Sequence, residues 1–467
     1  MSHRNNETTL GVRFVERGRH LMNSPWAGGA ILLLFVIIAL VLANNPVTGA
    51  IYHHILTTPL ALSIGEGGEV FNFSLDIEKF INDGLMVVFF FVVGLEIKRE
   101  LLFGRLSSIK QAMLPIVAAV GGMVVPAAIY AMFNAGGDFS NGWGIPMATD
   151  IAFAIAILSL MGDKVPVSLK VFLTALAIVD DLGAIVVIAI FYTYQINWLC
   201  LGLIAVLMLG LWLLRRRGVT QVAPYLITAF VVWFLFYQSG VHATIAGVLM
   251  AMMIPTKPKL SKKMFLYREK QLAEKFRFHN HHDVEIVVNE QQHHTLLEMR
   301  RVATDAIGMS QRMEHLLHPW ITFLVMPIFA LANSGVEINA ESLSVFTTSL
   351  GWGILGGLVV GKPVGIFLAS WLAVKFKIAV LPRGTRWAPL LGVACVGGIG
   401  FTMSIFIDTL AFAGAPIVAG QAKIVILAAS AIAGLLGFGV INAFNFARNH
   451  NKSKYLRQNV RNSIKNS

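Results

Sequence analysis

Residues 171–192 read VFLTALAIVDDLGAIVVIAIFY, long enough to cross a bilayer as a helix and uncharged except for Asp180 and Asp181 at the middle. On insertion scales each aspartate at a helix centre disfavours membrane entry by about 2.5–3.5 kcal/mol, so a pair persists where an ion, a proton or a cationic side chain compensates it. The stretch therefore predicts a membrane-spanning helix and an ion or proton site within it.

The rest of the chain belongs to the same class. Of 467 residues 56% are hydrophobic and only 13% charged, which excludes a soluble globule with a charged surface. The net charge of +12 comes from Lys and Arg scattered among short connections, so topology accounts for it and no nucleic-acid partner is expected. Cys200 and Cys395 lie far apart in apolar segments and read as small buried hydrophobes. The first apolar run, 27–43, follows several Arg residues as a signal peptide would, but many further runs succeed it, and it reads as an uncleaved first helix. Runs of helix length fall at 27–44, 80–103, 112–133, 144–161, 167–192, 198–214, 222–237, 240–254, 319–334, 351–374, 387–412 and 420–445. They predict an all-α polytopic membrane protein with twelve transmembrane helices. The expected organisation is a tail over 1–26, helices one to eight over 27–254, a long loop over 255–318, helices nine to twelve over 319–445 and a tail over 446–467.

The connections alternate in charge. Arg13, Arg17 and Arg19 precede the first span, whereas 46–75 holds Glu66 and Glu69 but no Lys or Arg. Lys98 and Arg99 end the second span and Arg105 and Lys110 follow it, Lys164 and Lys170 follow the fourth, and Arg215, Arg216 and Arg217 the sixth. The long loop opens with Lys257, Lys259, Lys262 and Lys263, and the C-terminal tail is basic. Under the positive-inside rule both termini and the long loop are cytoplasmic. On the opposite side, FNFSLDI (71–77) alternates apolar and polar residues, as one strand of a small hairpin would.

Spans three to five and ten to twelve then run in opposite directions, as two inverted repeats require. Span four carries Gly144, Pro146, Thr149 and Asp150, and span eleven carries Gly392, Gly397, Gly398 and Gly400, so helices 4 and 11 are expected to be interrupted. A break in lipid must have its freed backbone groups satisfied inside the protein, which marks a path for ions. Close helix packing through glycine is the competing explanation.

Thr149, Asp150 and Asp181 offer hard oxygens of the kind that replace water around Na+ or Li+. Successive helical residues point about 100° apart, so Asp180 and Asp181 have different partners. Lys362, within GGLVVGKPVGIF (356–367), is the natural counter-charge for one of them. The mechanism is competition: a desolvated carboxylate holds its proton until a cation displaces it. If two protons enter for each cation leaving, about 100 mV of membrane potential contributes ~2.3 kcal/mol to export.

Other groups read as regulatory or bland. Glu96, Arg99 and Glu100 share a face at i, i+3 and i+4, as a pH-sensing cluster or a solvated helix end. His242 has an unperturbed pKa of ~6.5 that suits pH sensing, and a packing role competes with that. Asp83 and Asp408 lie toward predicted membrane edges and are less telling. The stretch 258–313 contains His279, His281, His282, Asp283, His293 and His294, but the spacing is irregular and no Cys joins it, so a hydrated loop is expected rather than a zinc site.

Together the stretches INDGLMVVFFFVVGLEIKREL (81–101), IPMATDIAFAIAIL (145–158), LKVFLTALAIVDDLGAIVVIAIFYT (169–193), SGVHATIAGV (239–248), MEHLLHPW (313–320), GLVVGKPVGI (357–366) and GGIGFTMSIFI (397–407) resemble the NhaA-type sodium/proton antiporters, in that family's order. NhaA is itself among the transporters for which inverted repeats are described. The resemblance implies that Asp181, with Thr149 and Asp150, binds the transported cation and that Asp180 and Asp181 carry the exchanged protons. It further implies that Lys362 pairs with Asp180, and that Asp150 and Lys362 offset helix-end dipoles at crossed, broken spans. Glu96, Arg99, Glu100, His242 and Glu314 match positions associated with pH activation. The expected protein is an electrogenic, pH-regulated inner-membrane antiporter exporting Na+ or Li+ for H+, without cofactor, as a homodimer serving sodium tolerance and cytoplasmic pH. Two departures stand out: the stretch after span eight is long, and Pro258 occupies a place where the family often has an acid. An intramembrane aspartyl protease would need Gly-x-Gly-Asp, but Gly398, Ile399 and Gly400 precede Phe401. A non-transporting sensor would lack sodium-dependent proton movement.

Overall fold

A computed structural model describes residues 24, 26–64, 71–193, 196–278, 290–382 and 384–465. Helices α1 (Ala27–Asn44) and α2 (Thr48–Thr57) lead into an antiparallel hairpin of β1 (Pro59–Ile64) and β2 (Phe71–Asp76), which pairs Pro59 with Asp76 and Ile64 with Phe71. The alternation in 71–77 thus forms the strand it suggests. There follow α3 (Ile77–Leu102), α4 (Ile109–Asn134), a 3-10 segment (Ser140–Met147), α5 (Ile151–Leu160), α6 (Val167–Phe191), α7 (Trp198–Arg216), α8 (Val222–Ser239) and α9 (Thr244–Met253). The chain continues through α10 (Lys262–Phe278), α11 (Glu290–Ala306), α12 (Met309–Asn333), α13 (Ser349–Lys375), α14 (Trp387–Gly397), α15 (Phe401–Ala411) and α16 (Pro416–Lys465).

Among the described residues ten helical stretches are long and apolar enough to cross a membrane, eleven when α14 and α15 count as one bent span. The expected span over 240–254 is the exception. Gly240 adopts a left-handed conformation that stops α8, and α9 has only ten residues. At 1.5 Å per residue that is about 15 Å, half of a hydrocarbon core.

The chain packs as two compact units, one of 1–89, 100–194 and 321–467 and the other of 90–99 and 195–320. In the first, α4 and α13 cross backbone to backbone, because a Cβ on Gly121 would strike the Gly365 carbonyl. Apolar burial does not distinguish helix neighbours from lipid, so such small-residue crossings carry the packing. Phe172, Leu176, Leu358, Ile366, Val393 and Phe406 are buried within this unit.

Two of its spans are broken. After the 3-10 segment Ser140–Met147 the chain is extended at Ala148 (ψ 153°) and Asp150 (ψ 101°) before α5 begins. Between α14 and α15 the axis bends by 44° at Gly398–Gly400. The breaks touch, since the Asp150 amide donates to the Ile399 carbonyl at 2.7 Å. In α13 a π turn, Gly356–Gly361, immediately precedes Lys362.

In the second unit the stretch expected as a loop is largely helical. α10 and α11 run antiparallel, with Lys275 3.2 Å from Glu298 and Lys259 3.4 Å from Asp305. Both carry Arg, Glu, Gln and Leu, joined by Lys on α10, good helix formers that a search for apolar runs passes over. His279, His281, His282 and Asp283 lie outside the described residues, while His293 and His294 sit on α11, with the ring of His294 3.8 Å from Glu298.

Candidate functional site: a buried carboxylate and lysine cluster at two helix breaks

A helix end inside a membrane exposes carbonyls at its C-terminus and amides at its N-terminus, and neither finds water there. At the first break, the Met147 carbonyl ending the 3-10 segment accepts from the Lys362 ammonium. The Asp150 carboxylate caps α5, taking a hydrogen bond from the Phe153 amide at 3.0 Å. At the second break the Gly397 carbonyl, which ends α14, lies 3.0 Å from the Thr149 hydroxyl. The amide of Thr402, in the first turn of α15, donates to the other oxygen of Asp150 at 3.2 Å, and the Thr402 hydroxyl donates to that same oxygen. Asp150 thus serves two helix N-termini at once and Lys362 one C-terminus, each of the sign the dipole favours, while the Gly397 end meets the neutral Thr149 hydroxyl.

Asp180 lies on α6 beside this crossing. Its Oδ2 accepts from Lys362 Nζ at 2.5 Å and lies 2.7 Å from the Thr149 hydroxyl. That hydroxyl has one proton for two acceptors, Asp180 and Gly397, so it can switch between them. Asp181 is one residue further on, with both oxygens buried, and its charge acts on Lys362. Thr149, Asp150, Asp180, Asp181, Lys362 and Thr402 are each no more than 1% exposed. Breaking such a pair from one side costs about 3–5 kcal/mol, because the remaining charge is left buried and uncompensated.

The five residues singled out from sequence, Thr149, Asp150, Asp180, Asp181 and Lys362, therefore converge, with Lys362 on Asp180 as expected. Sequence reasoning missed Thr402 and the carbonyls of Met147, Gly397 and Ile399. Thr402 carried a usable signal, a hydroxyl just past the glycines of a broken span. Backbone acceptors carry none.

The remaining site expectations fall in the second unit, apart from Glu100, which follows Arg99 on α3. There Arg99 pairs with Glu314 at 2.9 Å, with Glu314 nearly buried. Its neighbour Lys98, only 6% exposed, donates to the carbonyls of Ala251, Met252 and Ile254 at 3.2, 2.7 and 2.5 Å, capping the C-terminus of α9. Arg215 adds a hydrogen bond to Met252 at 3.1 Å. His242 stands at the other end of α9, where its Nδ1 accepts from the Thr244 amide at 3.4 Å and lies 2.8 Å from the Thr244 hydroxyl. About 15 Å of helix separates it from the Lys98 end, so His242 is not brought to Arg99 and Glu314.

Known proteins match this chain along most of its length. The family model described as Na+/H+ antiporter 1 matches residues 19–441. A protein of Oleidesulfovibrio alaskensis named Na(+)/H(+) antiporter NhaA is 47% identical over 416 residues, covering 88% of this chain and 90% of its own length. Proteins of the same name from Sulfurimonas denitrificans and Wolinella succinogenes are 48% identical over 414 residues and 44% over 424, covering 88% and 91% of this chain and 91% and 92% of their own lengths. A multi-pass helical chain with buried carboxylates at two broken spans, matched along most of its length, belongs to the NhaA family of Na+/H+ antiporters, secondary transporters rather than enzymes.

Proposed function

We propose that this chain exports Na+ or Li+ across the inner membrane in exchange for protons, through the cluster at the two helix breaks. The observation that carries this reading is the buried Asp180–Lys362 pair beside Asp181 and Thr149, where a cation and a proton compete for the same oxygens. Asp181, Asp150 and Thr149 supply the oxygens for the dehydrated cation. Asp180 and Asp181 carry the protons, and Lys362 compensates Asp180 whenever it is ionised. Binding of Na+ expels H+ and protonation expels Na+, so neither ion leaks down its gradient alone. With two protons per cation the cycle moves one net charge, and about 100 mV supplies ~2.3 kcal/mol per turnover.

The charge alternation of the connections supports cytoplasmic termini, and α9 with its flanking turns supplies the twelfth crossing at half length. Opposite chain directions for spans three to five and ten to twelve, each with a broken middle member, support two inverted repeats. Glu96, Arg99, Glu100, His242 and Glu314 adjust exchange to cytoplasmic pH, with the Arg99–Glu314 pair as the contact that joins two of them. The protein works as a homodimer in sodium tolerance and pH homeostasis. Proteoliposomes with an entrapped pH dye test the reading: sodium added outside should drive proton movement at a rate that responds to membrane potential. Calorimetry that detects sodium binding with no proton release at any pH would overturn it.

A further inference from the structure

Asp408 lies in the second half of the bent span, on α15, and is completely buried. Neither of its carboxylate oxygens accepts a hydrogen bond among the described residues. Buried polar groups are satisfied in the great majority of cases, so a carboxyl left without donors asks for an explanation. Asparagine or leucine would fill the same space without the desolvation cost of an ionisable group.

The surroundings are sparse in charge. α15 packs against the 3-10 segment Ser140–Met147, against α16 and against the Met326–Asn333 part of α12. The first and last of these contribute no ionisable side chain. From α16 comes Lys423, whose charge acts on Asp408 while its ammonium sits 3.9 Å from Glu78 Oε1. From α4 comes Tyr130, whose hydroxyl donates to the Phe139 carbonyl at 2.7 Å and feels the charge of Asp408. Lys423 is thus a cation beside one carboxylate, Glu78, whose charge also reaches a buried one.

Position adds the second argument. Ser404, one turn before Asp408 on the same face of α15, donates to the Ile145 carbonyl of the broken span at 2.7 Å. Thr402, which bonds Asp150, is six residues back, about 9 Å along the axis. Asp408 therefore continues the seam between the two broken spans, beyond the cluster and toward the uncharged connection 412–415.

We propose that Asp408 is a proton-relay carboxyl on the outer side of the transport site, with Lys423 as its movable counter-charge. The proposal rests on the antiport reading and orientation above. The Asp408 carboxylate takes H+ from hydronium at the outer face and becomes a neutral acid, and Lys423, still an ammonium, settles on Glu78. Delivery of that H+ through a hydrated link to the Asp180 and Asp181 carboxylates restores the anion and draws Lys423 back. Charge and protons balance at each stage.

The test uses the full chain in proteoliposomes with the pH of each compartment set independently, and the variants Asp408→Asn, Asp408→Glu and Lys423→Met. Asp408→Asn should slow exchange about tenfold or more when outer protons are scarce, while leaving the sodium dependence measured from the inner side unchanged. Asp408→Glu should retain the wild-type outer-pH profile, and Lys423→Met should displace it. Infrared difference spectra over a pH series give a readout independent of transport: the carbonyl stretch of a protonated carboxyl should disappear in Asp408→Asn and titrate differently in Lys423→Met. A wild-type outer-pH profile in Asp408→Asn overturns the relay. So does equal impairment of the Asn and Glu variants from both sides with the infrared band unchanged, which would mark a packing role. Wild-type liposomes that move no protons with sodium overturn the antiport reading, and the relay with it.

Discussion

Lys362 and Lys98 are both lysines buried in apolar helices, and the protein compensates their charges in different ways. Lys362, in the first unit, meets the Asp180 carboxylate at 2.5 Å and the Met147 carbonyl at a helix break. Lys98, in the second, meets the three carbonyls of Ala251, Met252 and Ile254, with the like charge of Arg215 nearby and no carboxylate bonded to it among the described residues. The difference is chemical as well as geometric. A carboxylate can take a proton or hold a cation, so the charge beside Lys362 changes during the proposed cycle. A carbonyl takes no proton at physiological pH and has no net charge to change, so the field around Lys98 is constant. On the reading proposed above, the first lysine belongs to something that switches and the second to something that holds α9 in place.

The strongest way to break that contrast is to remove the switching acid. Asp180→Asn should reduce sodium-dependent proton movement in everted vesicles to background, and Asp181→Asn should do the same; wild-type rates in both would refute the assignment. Asp180→Asn should also lower stability by about 3–5 kcal/mol, since Lys362 is then buried without its acid. The double variant Asp180→Asn with Lys362→Met should recover much of that stability while remaining inactive, and thermal unfolding in detergent checks it.

Lys362→Ala is expected to impair exchange and displace its pH profile, because Asp180 loses the ammonium that favours its ionised form. An unchanged profile would remove Lys362 from the mechanism. For Lys98→Met the prediction is a smaller and different effect: stability falls by about 1.5–3 kcal/mol as charge-assisted hydrogen bonds to the end of α9 are lost, and exchange persists. If Lys98→Met abolished exchange as fully as Asp180→Asn, the distinction between switching and holding would fail. The smallest effect is assigned to Glu314→Gln. Arg99 is 39% exposed, so the pair contributes about 0–1 kcal/mol to stability. Its signature should be a displaced pH profile of exchange, measured over a pH series, with little change in the maximal rate.

Much of the site was legible in the amino-acid order because charges are conspicuous in apolar runs. Asp150, Asp180, Asp181 and Lys362 stand alone in stretches that otherwise exclude charge, and lipid makes their pairing nearly obligatory. The glycines and proline near Asp150, and those before Thr402, announced breaks for the same reason, that a helix interrupted in hydrocarbon needs partners. Other features left no such trace. The 240–254 run has the hydropathy of a span, but a left-handed Gly240 and a turn at His242 leave a half-length helix. The 258–313 stretch looks like a loop on hydropathy, yet much of it is helical, because helix propensity and apolarity are separate properties. Asp408 drew little weight near a predicted membrane edge, and its complete burial is a matter of packing.

The order of residues alone determined that this chain lives in a bilayer, roughly where it crosses and which side chains must find compensation there, since those follow from local composition and the cost of charge in lipid. Which group compensates which was decided only by the tertiary structure. Met147, Gly397 and Ile399 act through carbonyls that every residue possesses, and Lys98 reaches α9 from more than a hundred residues away in sequence. Interrupted helices present their bare ends to whatever the fold brings alongside, and no local pattern records what that is.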